Sequence, residues 1–332
     1  MAVDVSVAPY PFPLGVFTEQ GFSGNGTPRI HRESIFSAGC MFNRQDDSQA
    51  NGGGTAFEWD SVNNRPVIDL FYDQPAAAHA VGNVSTANTS CGSQGQAGPI
   101  HQGAACNSTF KFDQDSSGPS GSDLVSGDAC YGKYVRSDLS VYPTSSKFTL
   151  QQLEDDYGYR PRGLTDAQYD ALKAQAQAEG TYNLASGSVA TALSSSTLAD
   201  VNSPVLFWDN ASVTLPSSAL TPFMRPLDQT AGCSTRSLTI VVVGAGHDLT
   251  YSGGSGPNVA STPRLVASIF VPDGTVTGNG GRDIIGTVFA KTIDLGGSPD
   301  FYMDACFASN PPGATIDVQV TNFREDDGTD IN

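Results

Sequence analysis

The sequence predicts a mainly β protein: a short right-handed parallel β-helix (β-solenoid) with a large loop-rich insertion that contains a hairpin and two short helices. Short apolar runs alternate with Gly, Asn and Asp turns, and Ile269-Phe270 is answered nineteen residues later by Val288-Phe289. Charged residues make up only 15% of the chain, whereas glycine (36) and proline (20) are plentiful. Similarity at a short fixed spacing is typical of solenoids, whose coils stack on one another and are not stable alone.

Residues 1–45 are predicted to form the first coil of this solenoid and the N-terminal segment. Their apolar and glycine positions match those of the repeated stretch, although 254 positions separate Gly24 from Gly278. The matches are Gly24-Asn25-Gly26 with Gly278-Asn279-Gly280, Ile30 with Ile284, and Ile35-Phe36 with Val288-Phe289. The chain between the two stretches is therefore predicted to be largely an insertion.

Residues 46–202 are the predicted insertion, which opens with a hairpin. Two alternating runs, one at Phe57 and Trp59 and one at Val67–Tyr72, flank Asn63-Asn64 and indicate two strands joined by a turn. A Gly/Ser/Asn tract with three of the six cysteines follows. Such a tract buries little apolar surface, so we expect disulfides to hold it together.

Two helices are expected later in the insertion. Thr149 and Thr165 are each followed three residues later by Gln, which fits a capping box at a helix start. The second helix is predicted to run to about Glu179, with Gly180 as its left-handed stop. The polar stretch 185–203 is interpreted as a linker back to the main body.

Residues 203–323 are predicted to form the main solenoid, and residues 324–332 an acidic tail. Alignment of the runs places Phe207 on Phe270, Val213 on Val276 and Leu238 on Leu265. The alternating stretch 315–323 is expected to close the core as an end strand. Three to five coils follow from these matches.

The six cysteines indicate the redox compartment of the protein. The cysteines form an even set without CxxC spacing, so three disulfides in an oxidising, extracellular compartment are expected. Cys106–Cys130 is the first candidate for a local bridge, and pairings with Cys40 and Cys91 stay open. The full set is Cys40, Cys91, Cys106, Cys130, Cys233 and Cys306.

A net charge of −17 argues against binding to nucleic acid or to anionic lipid, because both attract basic surfaces. No apolar run of about 18 residues is present, so we expect no membrane insertion of this chain. The first residues show neither the basic nor the apolar region of a signal peptide, which is expected of a mature or trimmed chain.

Two stretches resemble the solenoid domain of unknown function in bacterial PilX-like pilus-assembly and cell-surface proteins: APYPFPLGVF near the start and SIFVPDGTVTGNGGRDIIGTVFAKTIDLGGSPDFYMDACF near the end. The resemblance covers residues ~8–45 and ~203–310. It implies a solenoid fold and a place in a pilus or on the cell surface, and it brings no catalytic residues. In that family the domain usually follows a membrane-inserted, pilin-like helix, which this sequence does not show.

One calcium-binding loop is a candidate metal site. Asp113, Asp115 and Ser117 occupy the first, third and fifth positions of an EF-hand-like loop, with Gly118 sixth. The acid expected at the twelfth position is replaced by Leu124. An ordinary Asp/Ser/Gly turn is the alternative, and calcium is the one cofactor considered.

Acidic residues at the coil corners are the candidate catalytic groups of a carbohydrate-cleaving β-helix, since glycosidases use paired carboxylates. These are Asp209, Asp273, Asp294, Asp300 and Asp304. The alternative is that they form turns by bonding their own backbone. Aromatic residues are likewise either sugar platforms or core, namely Trp59, Tyr72, Trp208, Tyr251 and Tyr302.

The sequence as a whole predicts a non-enzymatic extracellular structural protein, a pilus-associated or surface-filament component with adhesive potential. Its expected partners are copies of itself or other pilus or surface subunits. The open strand edges at the ends of a solenoid have to be capped or used, which is the physical basis of this expectation. A carbohydrate-binding or carbohydrate-cleaving β-helix is the alternative, with a glycan as its partner.

Overall fold

The structure is a computed structural model that describes residues 2–8, 15–24, 28–43, 55–60, 65–72, 74–76, 78–81, 84–85, 110–112, 149–194, 203–216, 220–226, 236–253, 263–280, 283–297, 299–309 and 317–324. It is mainly β, with one large sheet in which most strand pairs are parallel. The predicted mainly β class is therefore confirmed.

The first half of the chain contributes the strands β1 (Ala2–Ala8), β2 (Val16–Gly24), β3 (Arg29–His31), β4 (Ile35–Ser37), β5 (Cys40–Asn43), β6 (Thr55–Phe57), β7 (Trp59–Asp60), β8 (Arg65–Pro66), β9 (Ile68–Asp69), β10 (Gln74–Pro75), β11 (Ala78–Ala80), β12 (Val84–Ser85) and β13 (Phe110–Phe112). The second half contributes β14 (Tyr182–Asn183), β15 (Gly187–Ser188), β16 (Val205–Asp209), β17 (Val213–Leu215), β18 (Met224–Arg225), β19 (Leu238–Val243), β20 (Leu249–Gly253), β21 (Arg264–Gly280), β22 (Ile284–Gly296), β23 (Asp300–Tyr302) and β24 (Asp317–Arg324). The described helices are α1 (Leu150–Tyr157), α2 (Asp166–Glu179), α3 (Val189–Ser194) and α4 (Ala305–Ser309), with a 3-10 turn at Thr221–Phe223.

The large sheet consists of three stacks of strands. The first stack runs in the order β14, β16, β19, β21, β22, β2, β4, β11, and all of its pairs are parallel. The second stack, also parallel, runs β15, β17, β20, β21, β22, β2, β5, β12. The third runs β18, β21, β22, β23, β3, β6, β13, and only its β18–β21 pair is antiparallel. We call one level across the three stacks a layer.

One layer is assembled from the two distant parts of the chain. Strand β2 lies directly on β22, with Val16 opposite Val288 and Phe17 opposite Phe289. Two further hydrogen bonds join the segment before β2 to β22. The Gly15 N–H donates to Thr287 Oγ1 (2.9 Å), and the Gly15 carbonyl accepts from the same hydroxyl (2.7 Å). The N-terminal segment thus joins the sheet at the layer after β22.

Side chains from all three stacks meet in one buried apolar cluster. Because successive residues of a strand point to opposite faces, Ile269 turns into this cluster while Phe270 turns out of it. The first stack alone contributes an inner column of Leu206, Ile240, Ile269, Val288, Val16 and Ile35. Its outer column consists of Phe207, Val241, Phe270, Phe289, Phe17 and Phe36.

Strands of the predicted insertion extend the stacks of the large sheet at both ends. Strands β11, β12 and β13 extend the stacks beyond β4, β5 and β6, whereas β14 and β15 extend them beyond β16 and β17. Residues 149–183, the return segment, lie along the outer column: Tyr157 contacts Phe36, Tyr159 contacts Phe289, and α2 contacts β16. Parts of residues 46–202 are therefore integral to the sheet.

The second predicted helix is confirmed from cap to cap. Thr165 and Gln168 form the capping box, and Gly180 ends α2 in the left-handed conformation at φ 72°. The stretch interpreted as a linker, by contrast, contains β15 and α3. Val189 and Ala192 of α3 are buried in the inner cluster at the β15 end of the stack, which the Ser-rich composition of this stretch obscured.

The strand registers agree with the sequence alignment at most positions. Phe207 and Phe270 share one column, as do Val213 and Val276. The alignment of Leu238 with Leu265 is wrong by two positions, since Leu238 pairs with Ala267. A shift of two residues keeps the same side chains facing inward, so alternation alone does not separate the two registers.

Two further strand predictions have mixed outcomes. The predicted hairpin partner is wrong: Trp59–Asp60 pairs antiparallel with Arg65–Pro66, whereas Ile68–Asp69 of the predicted second strand pairs with Gln74–Pro75. The alternating stretch near the C-terminus does form a strand, β24. It pairs with β1 in a separate two-stranded antiparallel sheet rather than with the large sheet, so it does not close the core as an end strand.

Candidate functional site

A cluster of polar side chains lies along the third stack, in successive layers of the sheet. Arg264 opens β21, Asp283 precedes β22, and Asp300 and Tyr302 belong to β23. His31 of β3 comes next, directly opposite Tyr302. Arg264, Asp283 and Asp300 each directly precede an inward apolar residue, and the register of those apolar residues places the three charged ones in one column.

Arg264 is the centre of this cluster and is only 1% exposed. Its Nε lies 3.1 Å from Asp283 Oδ2, its Nη2 donates to the Tyr302 hydroxyl (3.2 Å), and its guanidinium lies 4.3 Å from the centre of the Tyr302 ring. The Tyr302 hydroxyl in turn donates to Asp300 Oδ2 (3.2 Å). A buried guanidinium held on several sides is the arrangement in which arginine is stable away from water.

Burial controls the protonation of the two aspartates in the cluster. The pKa of Asp283 is raised to about 6, mainly by burial and further by the negative charge of Asp300, while Arg264 opposes the rise. Burial also raises the pKa of Asp300, against the attraction of His31 and Arg29. The Tyr302 pKa is raised by burial as well, so its phenol stays protonated. The cluster therefore combines a neutral phenol with carboxyls that gain protons more readily than usual.

His31 continues the cluster beyond Tyr302 toward the partly exposed Glu58. Its ring stacks on Tyr302 at 4.1 Å and 8°. Its Nδ1 lies 3.6 Å from Glu58 Oε2 and its Nε2 3.9 Å from Asp300 Oδ2, with the His31 and Glu58 side chains 13% and 33% exposed.

The predicted corner acids are separate, and each of three has its own partner. Asp209 accepts from Lys173 Nζ (2.6 Å) and from the Tyr182 hydroxyl (2.7 Å), and the Lys173 hydrogen bond lowers its pKa. Asp273 pairs with Arg162 (2.9 Å) and accepts from the Gly244 N–H (3.0 Å). These contacts tie the corners to the return segment and to the preceding layer.

Asp304 pairs with the buried Arg225 and accepts from the Phe307 N–H (2.8 Å) at the start of α4. Asp294 lies in β22, in the second stack. Of the five predicted acids, only Asp300 lies in the polar cluster. The arrangement does not place the other four in one constellation.

The aromatic candidates lie mostly in the core. Trp208 and Tyr251 are 1% and 0% exposed, so neither offers a face to a sugar. Tyr302 is buried under Arg264 and His31. Tyr72 is half-buried and donates to the Tyr157 carbonyl (3.0 Å), and the side chain of Trp59 lies outside the described part.

The calcium candidates Asp113, Asp115 and Ser117 lie outside the described residues. Within the described residues, no group of three or more acidic, histidine or cysteine side chains could hold a metal ion. Cys40 and Cys306 are disulfide-bonded, while Cys91, Cys106, Cys130 and Cys233 lie outside the described part. None of the described helices has the length and hydropathy needed to cross a membrane.

Sequence reasoning missed Arg264, Asp283, His31 and Glu58 as members of one cluster. A signal was present, because Arg264-Leu265, Asp283-Ile284, Asp300-Phe301 and Arg29-Ile30 each pair a charged residue with an inward apolar one. Aligning these strands on their apolar residues places the charged residues in one column of the third stack.

Comparison with protein-family models, with curated proteins and with solved structures finds no match to this chain.

Proposed function

We propose that this protein is a right-handed parallel β-helix that serves as a structural component of the extracellular surface, in a pilus or another surface filament. The observation that carries the proposal is the convergence of apolar side chains from all three parallel stacks in one inner cluster. A chain that winds repeatedly through three sheets produces this arrangement. Crossovers between parallel strands are right-handed in about 98% of cases, which supports the handedness.

The polar contacts of the sheet support a structural role. Salt bridges such as Arg162–Asp273 and Lys173–Asp209 join the return segment to the sheet corners, and Arg225–Asp304 joins a buried strand to α4. Such cross-links hold layers and covering helices in one arrangement. A rigid stacked body is what a filament or surface spacer needs.

An oxidising location is supported by the cysteines. Cys40 and Cys306 are both disulfide-bonded, and disulfides persist in secreted and surface proteins but are rare in the cytosol of most organisms. The pilus assignment draws on the resemblance of the two terminal stretches to PilX-like proteins. Self-association is proposed at an end of the stacks, because end strands offer backbone groups that pair with another copy.

The test is to shear surface appendages from cells that produce the protein and to label free thiols before and after reduction. We expect the chain in the sheared fraction, with thiols labelled only after reduction. Purified protein should show a mass that rises with concentration in analytical ultracentrifugation and rods in electron micrographs. A chain found only in the cytosol with reactive thiols, or a strict monomer at all concentrations, would refute the respective part of the proposal.

A second candidate function, carbohydrate binding or cleavage, is favoured by the partly exposed His31 and Glu58 beside Asp300. Carboxyls and an imidazole at one surface are groups that a glycoside-processing site uses. A glycan array and a reducing-sugar assay test it, with His31→Gln as the site variant and Asp170→Asn on the exposed face of α2 as the control. Equal signals from both variants and the unaltered protein would dismiss this candidate.

A further inference from the structure

A pair of buried carboxyls lies at the corner between the third and first stacks. Glu33 sits between β3 and β4, and Asp69 ends β9; each is only 1% exposed. The Leu70 N–H donates to the Arg32 carbonyl (3.0 Å), so the segment around Glu33 is bonded directly to the one around Asp69. Two chain segments 36 positions apart thus enclose both acids.

The Asp69 carboxyl accepts several hydrogen bonds, whereas the Glu33 carboxyl accepts none from the described residues. Asp69 Oδ1 accepts from the N–H groups of Phe71 (2.9 Å) and Tyr72 (3.1 Å), which shapes the turn 69–72, and Ser34 also hydrogen-bonds to the Asp69 carboxyl. Asp69 Oδ2 and both carboxyl oxygens of Glu33 make no hydrogen bond within the described residues. Buried polar atoms normally have a partner, so these three oxygens require an explanation.

No cation lies within ion-pair distance of either carboxyl in the part of the chain that the structure describes. The titratable groups of the neighbouring elements are Arg32 beside Glu33, His31 at the end of β3, His79 in β11, Tyr72 in the turn and Tyr157 in α1. His79, Tyr72 and Tyr157 pack around the Phe36 ring, and Tyr72 also donates its N–H to Asp69 Oδ1.

Two negative charges in such a site repel each other and lose their hydration. Burial raises the pKa of Glu33 well above its usual value, and the charge of Asp69 raises it further. Burial also raises the pKa of Asp69 to about 6, although hydrogen bonds from Ser34, Phe71 and Tyr72 oppose the rise. In the folded protein both groups therefore favour the neutral form at a pH where they would ionise in the unfolded chain.

We propose that Glu33 and Asp69 form a proton-dependent clamp, which holds the corner 32–34 against the turn 69–72 when the carboxyls are protonated and loosens when they ionise. A calcium ion is a poorer fit, because two carboxyls supply few of the six to eight oxygen ligands that calcium takes. Leu70 and Phe71 follow Asp69 directly in the turn 69–72, and each is 41% exposed. Protonation thus controls how firmly this exposed apolar turn is held on the protein surface.

The sign of the pH dependence follows from the raised pKa values. The stabilisation is complete below the unfolded-state values, near pH 4, and is lost as the pH rises through about 6 and beyond. For Asp69 alone, the rise from 3.8 to about 6 corresponds to roughly a 100-fold loss in the folding equilibrium constant between pH 4 and pH 8.

The test compares the melting temperatures of the unaltered protein and Glu33→Gln between pH 4.5 and pH 8. The substitution removes the charge and keeps the shape of the side chain, so we expect similar melting temperatures at pH 4.5. At pH 8 the variant should melt higher, by roughly 5 °C. Asp170→Asn, at an exposed position of α2, is the matched control and should follow the unaltered protein at every pH.

Hydrogen exchange of a peptide covering residues 66–76 gives the local measurement. After correction for intrinsic exchange, protection of the Leu70 amide, which donates to the Arg32 carbonyl, should fall from pH 5 to pH 8 in the unaltered protein and fall less in Glu33→Gln, in which only Asp69 ionises. Parallel melting curves together with unchanged protection would overturn the proposal. So would a rise in melting temperature on adding calcium chloride at pH 8 that Glu33→Gln lacks, because the pair would then be a cation site.

Discussion

The inner and outer columns of the first stack come from neighbouring residues of the same strands but depend on different parts of the chain. Ile269 faces inward and packs against side chains of the other two stacks. Phe270 faces outward into a cluster formed by other aromatic rings and by the return segment. The inner column is aliphatic along its described length, whereas the outer one is mostly phenylalanine.

This difference separates two tasks in the same sheet. The inner column is filled by the layers themselves, so each layer stabilises the next without help from elsewhere. The outer column would be exposed without residues 149–183, which cover it from Phe36 at one end to Phe207 near the other. The phenylalanines stack along the column, with Phe17 and Phe36 4.5 Å apart. The insertion therefore helps to bury the outward apolar face of this stack's strands.

The largest effect is expected from truncating the inner column. Ile269→Ala should lower the free energy of unfolding by about 4 kcal/mol, because it leaves a cavity between three stacks that cannot collapse. Ile269→Val, which removes one methylene, should cost about 1 kcal/mol. Urea denaturation followed by circular dichroism measures both. Similar small losses for the two variants would show that the inner cluster is loosely packed.

A smaller effect is expected where the return segment touches the outer column. A Cβ on Gly163 would lie 2.6 Å from Cγ of Phe289, and the residue has φ +75°. Gly163→Ala should therefore cost about 3 kcal/mol, from backbone strain and displacement of the ring.

Gly180→Ala is the matched control for this contact. Gly180 has nearly the same φ of +72° but no atom within 4 Å of a built Cβ. It should cost only about 1 kcal/mol, since left-handed strain acts alone. Equal costs in urea denaturation would mean that the fit of the return segment against Phe289 contributes nothing.

The smallest effect is expected from the salt bridge at the edge of the outer face. Lys173 and Asp209 have side chains 36% and 17% exposed, so the pair is partly screened by solvent. Lys173→Gln should cost about 0.5 kcal/mol, and the loss should shrink in roughly 1 M salt. A double-mutant cycle with Asp209→Asn isolates the coupling. A coupling that is unchanged by salt would contradict a screened surface pair.

The strand registers could be predicted because the apolar pattern repeats from layer to layer. Ile269 on Val288 and Phe270 on Phe289 are both observed. The one error, Leu238 on Leu265, is a shift of two residues, which preserves the inward-facing set. Alternation thus fixes which face a residue occupies more firmly than which neighbour it has.

The candidate sites were less accessible to sequence reasoning. The charged column of Arg264, Asp283 and Asp300 follows from the register and could have been found by aligning strand starts. Glu33 and Asp69 could not, because they lie in segments without a common pattern. They approach each other only because the turn 69–72 bonds to the corner at Arg32.

The sequence by itself determined the local features: the alternation of strands, the positions of turns, and α2 with Thr165 at one end and Gly180 at the other. These depend on side-chain periodicity and on hydrogen bonds within a few residues. The tertiary structure alone decided that β2 lies on β22, that β24 pairs with β1, and that the insertion returns over the outer column. Many pairings satisfy the same alternating pattern, and the choice among them depends on how distant segments bury each other's apolar faces.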